Sequence, residues 1–428
     1  MQHHRVILSS EDEEGIYKAL MKQVQTSILT TPAIRLVHAT RQEGYRLYEQ
    51  HHGVRVYTRK SASGGEETMS VSYSQNHLTF ENLVYLLLAP STEEHRIQQT
   101  LFHDDAFLDG CVLSTVLSPT DEDPFQWYGL KYTKMALSSY RFVDPRDLCY
   151  VEISGTTINM EGNTVLYVMR ESMTLNSVPL VPDAIRGRVK SLSLHTECPN
   201  GTIEHVHFSY LNPFGSVPAF LFKPTQLRMN TLVERYAELI HFKRMLELSK
   251  HCTTFFPHSQ YVVSIVASYD VARSCASSKL RKACGSCDRS FWALMTRYYC
   301  RSCGEVICGN CAIFIPRPKE QLFQTHLSVV KEEYCKTCYL HVRGPTSSSM
   351  TSSSSIGGTC SFQQSDGRHG RPDVGGATFM LSSRHFPKDS ETTYQSNRSL
   401  LSMPTSRRGY KTPSTKQATL SMIPPLRG

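Results

Sequence analysis

The chain has 428 residues, 40% of them hydrophobic and 20% charged, with 14 cysteines and a formal net charge of +8. That length predicts two or three domains, and the apolar share is enough to build a core. No apolar run approaches the roughly 18 residues of a membrane-spanning helix, and the amino-terminal stretch has no signal-peptide apolar region and soon turns acidic, so a soluble protein in a reducing intracellular setting is expected.

Residues 11–29 read as a helix. Ser9 or Ser10 can cap it, acids fill its first turn, and Ile16, Leu20, Val24 and Ile28 recur at helical spacing before Thr31 and Pro32 end it. Short strands are expected at 34–38, 45–48, 53–57 and 69–73, with a turn at Gly64 and Gly65. A helix capped by Thr79 and stopped by Pro90 comes next, then a second from Ser91 to Phe102. Strand signals return at 112–117, 126–135, 148–153, 164–169, 189–195 and 203–211, separated by turn residues. They argue for one antiparallel sheet with one face buried. A long helix begins near Pro218, should kink or split at Pro224, and carries an apolar stripe through Leu232, Val233, Tyr236, Leu239, Ile240 and Leu246. It ends near Lys250 and His251.

Four stretches carry a family likeness: Gly53-Val-Arg-Val-Tyr57, Phe107-Leu-Asp-Gly-Cys-Val-Leu113, Arg146-Asp-Leu-Cys-Tyr150 and Tyr210-Leu-Asn-Pro-Phe-Gly-Ser-Val-Pro-Ala219. With the element order, they make residues 15–250 resemble a START domain. The resemblance implies an α+β helix-grip fold, an antiparallel sheet curled around a long carboxy-terminal helix, with a cavity for one lipid or sterol. The domain is placed at 1–255. Residues 256–279 are read as a linker in which 261–267 could form a helix or a strand.

Eight cysteines then fall as four Cys-x-x-Cys pairs: Cys284/Cys287, Cys300/Cys303, Cys308/Cys311 and Cys335/Cys338. Each pair offers two thiolates from one turn, and two pairs complete a tetrahedral zinc site. Eight ligands therefore predict two zinc ions, structural because four thiolates leave no open position. The second and third pairs are four residues apart, too close for separate lobes. A cross-brace is expected, with Cys284, Cys287, Cys308 and Cys311 on the first ion and Cys300, Cys303, Cys335 and Cys338 on the second. A RING finger is disfavoured because His326 is the only histidine between the outer cysteines.

The stretch Arg297-Tyr-Tyr-Cys-Arg-Ser-Cys-Gly304, followed by Val306-Ile-Cys308, makes residues 280–343 resemble a FYVE zinc finger. That resemblance implies binding of phosphatidylinositol 3-phosphate on endosomal membrane. It assigns Arg297 and Arg301 to the headgroup, and Trp292 and Leu294 to an apolar turret that enters the bilayer. In the alternative packing, Phe291 and Met295 fill the finger's small core while Trp292 shields a zinc site. Thr296, Tyr298, Tyr299 and Glu305 stand where the family carries basic residues or histidines, and these departures support the alternative function of an adaptor that binds a protein.

Positive charge gathers late in the chain. Residues 1–280 hold 26 Lys and Arg against 29 Asp and Glu, residues 281–343 hold 10 against 5, and residues 344–428 hold 10 against 4. That suits an anionic membrane leaflet; nucleic acid is disfavoured because basic residues lack interleaved aromatic platforms beyond Tyr298 and Tyr299. The tail from 344 is Ser/Thr-rich and poor in aromatics, so it is expected to be disordered and open to phosphorylation near Lys411-Thr-Pro-Ser414. No phosphate-binding loop, nucleophile elbow or zinc-protease motif is present, and a non-enzymatic protein is expected. His205 and His207, two apart on a strand, point to one face as surface or cavity-lining residues, and the carboxylates 121–123 read as a solvated loop.

Overall fold

The computed structural model describes residues 6, 8–30, 43–51, 53–60, 66–137, 143–175, 177–215, 217, 219–252, 282–292, 294–319 and 328–343. The strand expected at 34–38, the turn at Gly64 and Gly65, the linker and the tail lie outside these residues.

Helix α1 spans Ser10–Thr30. The Ser9 hydroxyl accepts from the Asp12 backbone N–H at 3.2 Å, and Ile16, Leu20 and Val24 form a buried stripe one turn apart. Strands β1 (Arg46–His51), β2 (Val54–Lys60) and β3 (Glu66–Asn76) follow. Gly53 turns β1 into β2 at φ +77°, and a Cβ there would collide with the Tyr73 carbonyl. Helix α2 (Phe80–Leu87) is capped by Thr79, and α3 (Thr92–His103) opens on a full capping box between Ser91 and Glu94.

The remaining strands are β4 (Phe107–Leu117), β5 (Trp127–Met135), β6 (Arg146–Ile158), β7 (Thr164–Ser172), the short β8 (Ile185–Arg186), β9 (Arg188–Glu197) and β10 (Ile203–Asn212). They join β1–β3 in one sheet of order β1-β2-β3-β10-β9-β7-β6-β5-β4. Every pair along that path is antiparallel, and β8 adds to β6 in parallel.

The sheet is covered on both faces, not one. Along β7 the side chains alternate. Val165, Tyr167 and Met169 pack with Leu20 and Val24 of α1, whereas Leu166 and Val168 join the cluster containing Leu239 and Ile240. The amino-terminal helix therefore closes the second face, which is why the central strands read as nearly continuous apolar runs.

The carboxy-terminal helix is three pieces. Helix α4 (Ala219–Asn230) runs through Pro224, and the break comes six residues later. There a 3-10 turn, Leu232–Arg235, precedes α5 (Tyr236–Cys252). The Asn230 side chain accepts from Ser70 at 2.8 Å and Ser209 at 3.3 Å, anchoring the helix end to β3 and β10. The Thr231 hydroxyl turns back to the Leu227 and Arg228 carbonyls. These bonds compete with helical continuation more effectively than the proline does.

The finger comprises β11 (Arg297–Tyr299) paired with β12 (Val306–Cys308), β13 (Ala312–Pro318) paired with β14 (Val329–Cys335), and helix α6 (Lys336–Arg343). It packs on the preceding body as part of one apolar cluster that includes Met245, Ile315 and Tyr334.

Candidate functional site

Two quartets of thiols meet in the finger. The Sγ atoms of Cys284, Cys287, Cys308 and Cys311 all lie within 4.8 Å of one another, as do those of Cys300, Cys303, Cys335 and Cys338. A tetrahedron of sulfurs about 2.3 Å from a zinc ion has edges of about 3.8 Å. The Cys287–Cys308 and Cys303–Cys335 sulfurs stand 3.8 and 3.9 Å apart, so the donor set fits zinc. Backbone amides aim at the sulfurs: Cys308 N–H reaches Cys284 at 3.3 Å, and Cys335 N–H reaches Cys300 at 3.2 Å. Such bonds favour the thiolate form a metal needs.

The segment between the first two pairs divides its side chains. Phe291 and Met295 pack against the core, while Trp292 is 58% and Leu294 83% exposed. Two side chains of this stretch thus fill the interior and two project. Arg297 is exposed, and its guanidinium lies over the Phe291 ring with 5.0 Å between them.

Arg301 lies in a different setting. Its Nε is 3.7 Å from Glu332 Oε1, the oxygen to which Arg317 donates at 2.5 Å. Glu332 is buried, and its other oxygen accepts from the Tyr334 hydroxyl at 2.8 Å. The same Tyr334 hydroxyl stands 3.0 Å from the Ser249 hydroxyl of α5, within hydrogen-bond reach. The two arginines assigned to one headgroup thus differ, Arg297 open and Arg301 tied into the joint between finger and body. Tyr298 stacks edge-on against Phe314 at 5.2 Å.

A partly open cavity of about 120 Å³ lies between the sheet and the α4–α5 segment of the body. Sequence reasoning reached part of its wall, since His205 and His207 both line it. Leu232, Val233 and Tyr236 of the expected apolar stripe line it too. His195 and His205 approach to 2.5 Å between their Nδ1 atoms, and among the described residues their Nε2 atoms have no partner. Burial holds these rings neutral: His205 and His207 are pushed down to about 4, and His195 well below its ordinary value.

A charged triad missed in the sequence lies behind this wall. Glu152 pairs with Lys131 at 2.5 Å and with Arg170 at 2.5 Å. Burial pushes the Glu152 carboxyl up, but the two cations outweigh it and hold the group at about 2. Burial works against the Lys131 ammonium, which Glu152 and the Trp127 ring, 4.2 Å away, support. The signal was available in principle: Lys131, Glu152 and Arg170 stand on the α5-facing side of three strands whose opposite side is apolar. In an antiparallel sheet with one wet face such charges look ordinary, and only the second covered face makes them buried.

Comparison with known proteins adds to this geometry. Residues 274–344 match the FYVE zinc finger family. The two four-cysteine clusters agree with the two structural zinc ions of that finger. No curated protein matches the chain. Among solved structures, human STARD10 is similar at 14% identity over 56% of this chain and 84% of its own, with a TM-score of 0.32. Human StAR-related lipid transfer protein 5 matches at 14% over 52% and 97%, with a TM-score of 0.34. The STAR-related lipid transfer protein of Xanthomonas axonopodis matches at 18% over 46% and 98%, with a TM-score of 0.32. Among the described residues no helix is long and apolar enough to cross a membrane.

Proposed function

We propose that the protein is a non-enzymatic lipid-binding module carried to an anionic membrane by its zinc finger. The zinc ligands are the two quartets Cys284/Cys287/Cys308/Cys311 and Cys300/Cys303/Cys335/Cys338. The finger, residues 280–343, docks on a phosphatidylinositol 3-phosphate surface of the endosomal type. The body, residues 1–255, holds one lipid in its cavity. The observation that carries this reading is the pair Trp292 and Leu294, projecting from a turn beside the open Arg297. Trp favours the membrane interface and Leu the acyl region, while Arg297 offers the headgroup a charge-assisted bond.

Vesicle co-sedimentation of the zinc-loaded protein tests it. Vesicles carrying phosphatidylinositol 3-phosphate should capture the wild type, and Arg297→Ala combined with Leu294→Asp should abolish capture. Arg301→Ala should weaken it less directly, by loosening the joint at Glu332. Equal capture by neutral vesicles removes the headgroup from the reading.

A second reading has its own support. With Arg301 engaged by Glu332 and Phe314 42% exposed beside Tyr298, the finger could present an aromatic face to a protein as an adaptor. Failure of every vesicle composition would favour it.

A further inference from the structure

The Asp104 backbone stands in a region that side chains avoid. Its φ is +51° and its ψ −132°. Aspartate is tolerated at positive φ in the left-handed helical region, where ψ is about +45°, and Asp104 lies far outside it. Such a conformation persists only where the surroundings hold it.

The two sides of Asp104 differ. It caps α3, and its N–H donates to the Thr100 carbonyl. On that side the chain is cavity wall, because Gln99, Phe102 and His103 of α3 line the cavity. His103 is buried, and its Nδ1 has no partner among the described residues, so that nitrogen does not anchor the ring. On the other side a 3-10 turn, Asp104–Ala106, leads into β4. The Ala136 N–H donates to the Ala106 carbonyl at 2.8 Å, which ties this side to the end of β5.

The grip on the strained residue comes from the finger. Asp104 Oδ1 is buried with no partner among the described residues, and its Oδ2 stands 3.3 Å from Lys331 Nζ. Lys331 also reaches Asp105 Oδ2 at 3.1 Å. Lys331 belongs to β14, whose partner β13 packs along α3 and the 3-10 turn. Ile315 of β13 shares one apolar cluster with Leu101 and Phe102. The ion pairs are open to water, Lys331 being 42% and Asp105 74% exposed, so this grip is weak and reversible.

We propose that Asp104 is a strained latch by which the seated finger sets the cavity wall. With Lys331 and β13 in place, the end of α3 is held in its strained form. When the finger lifts, Asp104 rotates out of positive φ and carries Phe102 and His103 with it. The wall then loosens and ligand exchange quickens. That last consequence rests on the reading that the body holds a lipid; the latch itself does not.

Two variants separate strain from charge. Asp104→Ala removes the carboxylate and keeps the strain, whereas Asp104→Gly removes both, since glycine adopts this φ freely. Hydrogen exchange over residues 99–107 of the zinc-loaded full chain reads the latch. Asp104→Ala should speed it about threefold, the size of one exposed ion pair. Asp104→Gly should leave it at or below the wild-type rate. Lys331→Ala, with both zinc ions retained, should behave as Asp104→Ala. Release of a pyrene-labelled sterol, fatty acid or phosphatidylcholine, whichever the body takes up, should follow the same order. Glycine as fast as alanine at position 104 overturns the strain, and a wild-type rate in Lys331→Ala overturns the grip. Should a variant not fold, chelation of the wild type decides. Residues 99–107 should then exchange faster while β5–β7 do not, and an unchanged rate at 99–107 overturns the latch. If exchange follows the expected order and none of the three labelled lipids binds, the latch stands and the lipid cavity falls.

Discussion

The finger and the body solve the problem of holding a fold in opposite ways. The finger has short strands and a small apolar interior, and eight thiols clamp it at two points. The body uses a ten-stranded sheet, apolar clusters on both faces and a helix broken to fit. A fold fixed by ligands depends on metal and is indifferent to most of its side chains. A fold fixed by packing can enclose space, and the body does so between its sheet and the α4–α5 segment.

The sharpest way to break this contrast is to remove zinc. Binding free energy of structural zinc is about 10–16 kcal/mol in small finger peptides at neutral pH, and it is folding free energy. A strong chelator should unfold residues 282–343 while leaving the body's sheet intact. Circular dichroism should lose a minor part of its signal, and hydrogen exchange should rise across β11–β14 but not across β5–β7.

Acid should act on the body instead. Burial holds His95 and His103 at about 3, and His205 and His207 at about 4. The unfolded chain takes up these protons near pH 6.5, the folded chain only much lower. The unfolded state therefore binds more protons, and stability falls as pH drops below about 6.5. Each ring contributes up to about 1.4 kcal/mol per pH unit. Glu152 acts in the same sense in a lower window: held at about 2, it stabilises above its ordinary range near 4.5 and gives up that contribution as pH falls from there toward 2. Between pH 6.5 and 4.5 the histidines dominate. Urea melts at pH 7 and pH 5 should show a loss of several kcal/mol in the body.

The smallest effect tests the joint. Tyr334→Phe removes a hydroxyl that reaches both Ser249 and Glu332. A loss of about 1–3 kcal/mol is expected, the cost of leaving buried partners unsatisfied. Chelation melting of this variant should leave the body's transition unchanged if the two regions are held together mainly by the apolar cluster, and lower it if the hydroxyl carries the coupling.

The same contrast governs what the sequence revealed. Thiol spacing is local and chemically specific, so the two quartets were readable from Cys284 to Cys338. The sheet was readable through alternation, and α1 through Ile16, Leu20 and Val24, but not their meeting. Whether α1 lies on the sheet depends on contacts such as Tyr128 Oη donating to the Glu13 carbonyl at 2.8 Å, across 115 residues. Lys131 and Glu152 point to the opposite, α5-facing side of the sheet, and they are interior charges only because that side is covered as well. The helix break was misplaced at Pro224 for a related reason: Asn230 is held by Ser70, 160 residues away, and no local propensity records that. Arg301 looked free for a headgroup because Glu332, its partner, stands on another strand.

The bond from Tyr334 to Ser249 has a practical consequence for anyone wishing to borrow the finger. Tyr334 is fully buried, and Tyr339 packs its ring 6.1 Å from Phe242 of α5. A fragment cut at residue 280 would carry that apolar seam uncovered, and would adhere to vesicles whatever their headgroups. Used as a portable membrane reporter, the excised finger would mislead; the body it leans on is part of what makes its choice of surface meaningful.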